Sequence, residues 1–432
     1  MKQMMKKMKK SMAGQVLWLF MLVLVVAQGL SACRSDSQDA PNPDPVQTVN
    51  HRTLLMYFPW SGDSSPLTTF FWQNIRDMKR AYLQSGVKDE QVIVFIQTDG
   101  TTGYLFNLAD YRGFAKDSLA TYTQYTDLAP TTVGGIARIL GAMRAMAPAD
   151  SGYAMTIGCH GMGWIPVTPA SRHQAASASA AGSAPHWDSY QPGGAVTRFF
   201  GGTSARYQTD ITTLADAIAS TGMQMDYILF DDCYMSSVEV AYDLRQVARY
   251  VIACPTEVMS DGMPYAEIGK SLLGRPDYQG VVDGFLRHYE AASYPYGTIG
   301  VTCCAELDGL ARLMREIHQR DSVWTGNRSA LQRMDGYTPV LFYDLGDYVD
   351  HLCSDSLLRR QFTAQLGRVV PYKAHTAKFP TVMSSSDAEY VGDGLYVVPI
   401  HTYSGITTSE PSVHQSANLY YRSTAWYQAT CP

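Results

Sequence analysis

The sequence predicts an α/β fold: a mostly parallel central sheet flanked by helices on both faces, with C-terminal elaboration. Three observations lead there. The first is a series of short runs that are apolar throughout: TLLMYF (53–58), QVIVFIQ (91–97), AMTIGC (154–159), MDYILF (225–230), RYVIAC (249–254) and TIGVTCC (298–304). Strands covered on both faces by helices read as continuous apolar runs rather than alternating ones. The second is that stretches with helical spacing of apolar residues lie between them. The third is a composition of 46% hydrophobic and 17% charged residues over 432 positions. That balance excludes disorder, collagen and coiled coil, and the length suffices for a large core.

Taken in order, residues 1–32 read as an export signal. Lys2, Lys6, Lys7, Lys9 and Lys10 form a basic start, and Val16–Ala27 is an apolar run of 12 residues, too short to span a bilayer. The string LSAC ending at Cys33 resembles the lipobox of bacterial lipoproteins, in which that cysteine is lipidated and becomes the mature N-terminus. An ordinary cleaved signal with an incidental cysteine is the plainer alternative. The lipobox implies a lipoprotein of the outer membrane or cell surface of a Gram-negative bacterium, tied to the membrane only through its lipid. Asp36 and Asp39 resemble surface-export signals, and a periplasmic orientation stays open. Residues 33–50, with three prolines and three aspartates after the cysteine, read as a flexible tether reaching roughly 50 Å.

The folded part, 51–400, opens with the strand 53–58 and the amphipathic helix Thr68–Gln84. After the strand 91–97, YLFNL (104–108) reads as a short edge strand and Thr132–Met146 as a helix. Residues 165–202 break the pattern: ASRHQAASASAAGSA (170–184) has seven alanines and four serines and no sustained period. It reads as an exposed insertion, an Ala-rich helical arm being the alternative. Helices follow at Ile211–Ser220 and Ser236–Val247, then at RLMREIHQR (312–320) and within LFYDLGDYVDHL (341–352). GLYVVPI (394–400) reads as the final strand, and 401–432 as a C-terminal extension.

Net charge is −5, and without residues 1–32 it becomes −10, with 29 basic against 39 acidic residues. Such a surface repels nucleic acid. Seven cysteines follow Cys33, an odd number with no CxxC pair, which argues against structural zinc and leaves at least one free thiol. No metal ligand is assigned.

Two strand ends carry chemistry. TIGCHGMGW (156–164) delivers His160 into a Gly-x-Gly turn, and MDYILFDDCYMSSVEVAYDL (225–244) delivers Asp231, Asp232 and Cys233 into a helix start. Ligands of open α/β sheets bind outside the carboxyl ends of the strands. A thiol becomes a nucleophile as thiolate, helped by an imidazole and a helix N-terminus. The N–H groups of Gly161 and Cys233 are candidate oxyanion donors. Read singly, a strand-end cysteine is more often a small buried hydrophobe and a His before Gly more often a turn residue. Cys159 is the rival nucleophile, but alternation points it away from His160. Cys254, Cys303 and Cys304 read as core.

HGMGW and DDCYMSSVEVAYDL resemble the two signature strings of the clostripain family of cysteine peptidases. PTEVMSDGMPYAEIG (255–269) and LFYDLGDYVDHL are also similar to that family, and the likeness runs over about residues 52–400. It implies a caspase-like fold and a Cys–His dyad of Cys233 and His160 that works through a thioacyl-enzyme. It also implies an endopeptidase cutting protein or peptide substrates after arginine, less often lysine. The S1 carboxylate it implies is Asp231, two positions before the nucleophile. Alternation puts Asp231 on the side of Cys233 and Asp232 on the other, a buried carboxylate suits a guanidinium, and a helix N-terminal carboxylate is the structural alternative. Members are often processed between the two catalytic residues. Arg172 in the insertion is then the first candidate, followed by Arg198, with Arg206 close behind; no cleavage is the alternative. Some members depend on calcium, but no EF-hand-like loop is present. A catalytically inactive relative that binds peptides or glycans through its 28 tyrosines and 7 tryptophans is the competing function. A Gly-x-Ser-x-Gly elbow and a dinucleotide fingerprint are both missing.

Overall fold

The computed structural model describes residues 51–60, 62, 67–113, 119–167, 200–202, 207–322 and 324–431. The signal segment, Cys33, the tether, most of the 165–202 insertion, Arg172, Arg198 and Arg206 lie outside the described residues.

Nine strands form the main sheet. The first five are β1 (Arg52–Phe58), β2 (Glu90–Gln97), β3 (Gly103–Asn107), β4 (Thr123–Tyr125) and β5 (Gly152–Gly158). After them come β6 (Met225–Asp231), β7 (Ala248–Ala253), β8 (Thr298–Cys303) and β9 (Tyr372–His375). Their spatial order is β9-β8-β7-β6-β5-β1-β2-β3-β4. The five central strands, β7 through β2, pair in parallel, and both margins are antiparallel. The apolar run 298–304 therefore belongs to the sheet but runs against its parallel neighbours. It is buried like them, and burial, not direction, is what an apolar run records. The 104–108 run is second from the margin, because the short β4 pairs outside it.

Alternation along each strand feeds two cores. On β1, Leu55 and Tyr57 enter one, and Leu54, Met56 and Phe58 the other. The first is covered by α2 (Val133–Met146), α3 (Ile211–Ser220), α4 (Val238–Leu244) and α7 (Leu307–Arg320). The second is covered by α1 (Leu67–Ser85), α5 (Tyr265–Leu272) and α6 (Tyr278–Ala291). Each fully buried Leu, Ile or Phe contributes about 1.5–3 kcal/mol relative to exposure. Helix α1 shows how such a face is written: Phe71, Ile75 and Met78 recur at helical spacing, and Asn74 occupies the same stripe.

Two expectations are adjusted. Thr407–Thr408 is a later, two-residue strand, so GLYVVPI, which does form the expected strand Leu395–Pro399, is not the final one. Leu395–Pro399 pairs antiparallel with Lys378–Thr381 and Glu389–Gly392 in a separate three-stranded sheet. The helix expected over Ser236–Val247 spans only Val238–Leu244, capped by Ser237, whose side chain accepts from the Val240 N–H. Beyond residue 400, Ile406, Tyr421 and Trp426 are buried in the first core. Thr407 and Thr408 pair with Asp344 and Tyr343. Among the described residues no helix is long and apolar enough to cross a membrane.

Candidate active site

The site is built from two adjacent strand ends. In the β5–β6 ladder Gly158 pairs with Asp231, so His160 and Cys233 occupy equivalent positions two residues past it. Both line one cavity of about 240 Å³, whose other walls include Glu257, Met259 and Met383. Val382, Met383 and Leu395 come from the small C-terminal sheet and its flanks. His160–Gly161 pairs with Phe200–Gly201, so the insertion returns to the sheet beside the His160 turn.

Backbone proximity explains Gly161. A methyl group there would lie 2.5 Å from the Cys233 carbonyl oxygen and 3.1 Å from its nitrogen. Only glycine lets the two turns meet. The Cys233 sulfur accepts the Val258 N–H at 3.3 Å, a donor that favours thiolate over thiol. Tyr234 follows at φ 61°, and its N–H is tied to the Thr256 carbonyl at 3.0 Å. Helix α4 starts five residues after Cys233, whereas the macrodipole acts within about one turn. The expected helix-dipole support for the thiol is therefore not built into this turn.

The residues between have different work. Cys159 is buried in the core with Met155 and Ile157. Its N–H donates to Asp232 Oδ1 at 2.5 Å, and its thiol lies 3.5 Å from Oδ2. Burial, then the Asp232 charge, pushes the Cys159 thiol well up, and burial does the same to the Asp232 carboxyl. Asp232 does not cap α4, as a helix N-terminal carboxylate would; it locks the two turns together. Cys254 and Cys304 are buried and Cys303 is half-buried, and no disulfide joins any of the described cysteines.

Asp231 lies on the other side, in a cavity of about 30 Å³ that also touches Cys233, His160 and Ser260. Asn74 of α1 donates to Oδ2 at 2.8 Å and the Met263 N–H to Oδ1 at 2.6 Å. Gly262, at φ +64°, makes room: a methyl there would sit 2.3 Å from Oδ1. Burial pushes the Asp231 carboxyl up to about 7, against the Met263 N–H. Burial also pushes His160 down to about 4, so its imidazole is neutral at pH 7. Asn74, Glu257 and the Val382–Met383 wall are absent from the sequence reading. Only Asn74 carries a signal: a polar residue within an apolar helical stripe.

A solved secreted C11 cysteine protease of Bacteroides thetaiotaomicron, "iotapain", is 44% identical, covering 88% of this chain and 99% of its own, with a TM-score of 0.74. The chain belongs to the clostripain family of C11 cysteine proteases. The family model, Clostripain family, matches residues 191–325. A clostripain from the same organism, in complex with the peptide inhibitor BTN-VLTK-AOMK, is 51% identical over 54% of this chain and 99% of its own, TM-score 0.51. An inactive zymogen C11 protease from Parabacteroides distasonis is 26% identical over 89% and 99%, TM-score 0.66. No curated protein matches. The expected caspase-like α/β architecture and peptidase class both hold for this chain. Among the described residues the group of ionisable side chains close enough to share an ion is His318, Glu410 and Cys431, whose nitrogen and sulfur do not suit calcium.

Proposed function

We propose that this chain is an endopeptidase that cleaves after a basic residue, with Cys233 as nucleophile and His160 as its acid–base partner. The observation that carries the specificity is Asp231: a buried carboxyl, braced by Asn74 and the Met263 N–H, in the cavity that adjoins Cys233. An arriving guanidinium or ammonium supplies the counter-charge that burial withholds. The sequence of the inhibitor bound by the Bacteroides clostripain ends in lysine, which supports the same reading.

In the free enzyme the buried imidazole is neutral and takes the Cys233 proton as the sulfur attacks the scissile carbonyl. The N–H groups of Gly161 and Cys233 face the developing oxyanion. His160 then returns the proton to the leaving amine, and water, deprotonated by the same imidazole, hydrolyses the thioester.

Two further proposals concern the whole protein. Cys33 carries a lipid that holds the enzyme at the outer membrane or cell surface, and the "secreted" description of the 44%-identical relative agrees with export. The insertion is cut by the enzyme itself, first at Arg172 and then at Arg198; its return beside His160 keeps it within reach.

A biotinylated arginyl or lysyl acyloxymethylketone tests the central reading. Labelling of the wild type, blocked by Cys233→Ala and weak with a neutral-P1 probe, is the expected result. No labelling by any probe favours an inactive, ligand-binding relative. N-terminal sequencing of the wild type beside Cys233→Ala tests self-processing: fragments in both mean that another protease cuts.

A further inference from the structure

Remote from the dyad, helix α7, the turn after Thr408 and the last residues of the chain converge. His318 of α7 is buried, and its Nδ1 lies 3.1 Å from the Thr430 carbonyl oxygen. A carbonyl only accepts, so Nδ1 carries a proton and Nε2 is the end of the ring turned toward Glu410. Nε2 lies 3.2 Å from Glu410 Oε2. That contact is an ion pair whenever the ring is protonated. The Cys431 sulfur completes the group: all three ligand atoms lie within 4.8 Å of one another. Three donor atoms of different kinds, from three separate parts of the chain, therefore face one point.

We infer that His318 Nε2, Glu410 and Cys431 form a zinc site, with water as the fourth ligand. The donor set of one imidazole nitrogen, one carboxylate oxygen and one thiolate sulfur selects Zn²⁺ over calcium or magnesium. Two ligands bound at about 2.0–2.1 Å in a tetrahedron are about 3.3 Å apart, close to the His318–Glu410 spacing of 3.2 Å. The Nδ1–H bond to a backbone carbonyl is the usual outer partner of a metal-bound histidine. Charge balances: thiolate and carboxylate neutralise Zn²⁺, and the thiol proton leaves to solvent on binding. Half-exposure of Cys431 leaves room for the water.

The bound ion would bridge three separate parts of the chain. Glu410 follows Ser409, whose hydroxyl accepts the Trp164 indole N–H at 2.8 Å and whose N–H donates to Glu239 at 2.9 Å. Zinc would therefore pin to α7 the segment that supports both strand ends.

The test uses the full chain carrying Cys233→Ala, so that the dyad cannot supply a thiolate. After dialysis against Zn²⁺ and then buffer, one equivalent should remain, and Zn²⁺ should raise the thermal midpoint. Co²⁺ in its place should give a thiolate charge-transfer band. Adding Cys431→Ser should abolish that band, and Cys431→Ser or Glu410→Gln should weaken zinc binding at least about tenfold. No retained metal, or a band and affinity unchanged by Cys431→Ser, overturns the proposal. The Cys431→Ser arm stands even where His318→Gln fails to fold.

Discussion

The ends of β5 and β6 are the same device used twice, with opposite halves doing opposite things. Each strand delivers one side chain into the first core and the next into the cavity: Cys159 then His160, Asp232 then Cys233. The inward pair bond to each other at 2.5 Å; the outward pair share a cavity of about 240 Å³. Strand alternation alone separates the lock from the chemistry. Residue type does not, since each pair contains a cysteine.

The largest expected effect breaks the outward pair. Cys233→Ala should lower kcat/KM roughly 10⁴- to 10⁶-fold with the fold intact, measured on arginyl peptide substrates and by thermal melting. Cys159→Ala should keep most activity and lose about 1–2 kcal/mol of stability. The reverse outcome would invert the comparison.

Asp231→Asn comes next. It removes a buried counter-charge, so arginyl kcat/KM should fall roughly 10³-fold while a neutral-P1 substrate changes little. Gly161→Ala should cost roughly 10²-fold in kcat, because the added methyl collides with the Cys233 backbone; equal rates for alanine and glycine would show that the turns need not touch.

A pH profile sharpens the same contrast. Asp231 titrates near 7 and His160 near 4 in the free enzyme. As pH falls below about 7, Asp231 takes up a proton and arginyl kcat/KM should drop, whereas His160 stays neutral until about pH 4. In Asp231→Asn that limb near 7 should vanish; a limb that persists belongs to another group. The smallest effect is expected at Asp232→Asn. Burial disfavours the charge on that carboxyl, and an amide oxygen can still accept the Cys159 N–H, so stability should change by less than about 1 kcal/mol.

Much of this was legible because burial writes directly into sequence. The apolar runs located eight strands, and the spacing in 132–146 and 211–220 located α2 and α3 to within a residue. Strand direction was not legible, since β8 is as apolar as its parallel neighbours. Nor was sheet membership: Leu395–Pro399 has a strand's composition wherever it pairs. Motifs brought His160, Cys233 and Asp231 forward as candidates, each at or just past the end of its strand, and the structure gathers the three around adjoining cavities. Asn74, Glu257 and Met383 reach the site through tertiary packing from positions 157, 24 and 150 residues away from Asp231, Cys233 and Cys233, and local pattern holds no record of that.

The bonds from Ser409 to Trp164 and Glu239 place a late segment of the chain under both strand ends. Synthesis proceeds from the N-terminus, so His160 and Cys233 emerge about 250 and 176 positions before Ser409. A nascent chain stalled before residue 404 should therefore fail to react with an arginyl probe that labels the finished protein. Chain order thus acts as a timer: Cys233 is made early, but its seat is completed only once the segment around Ser409 has followed it.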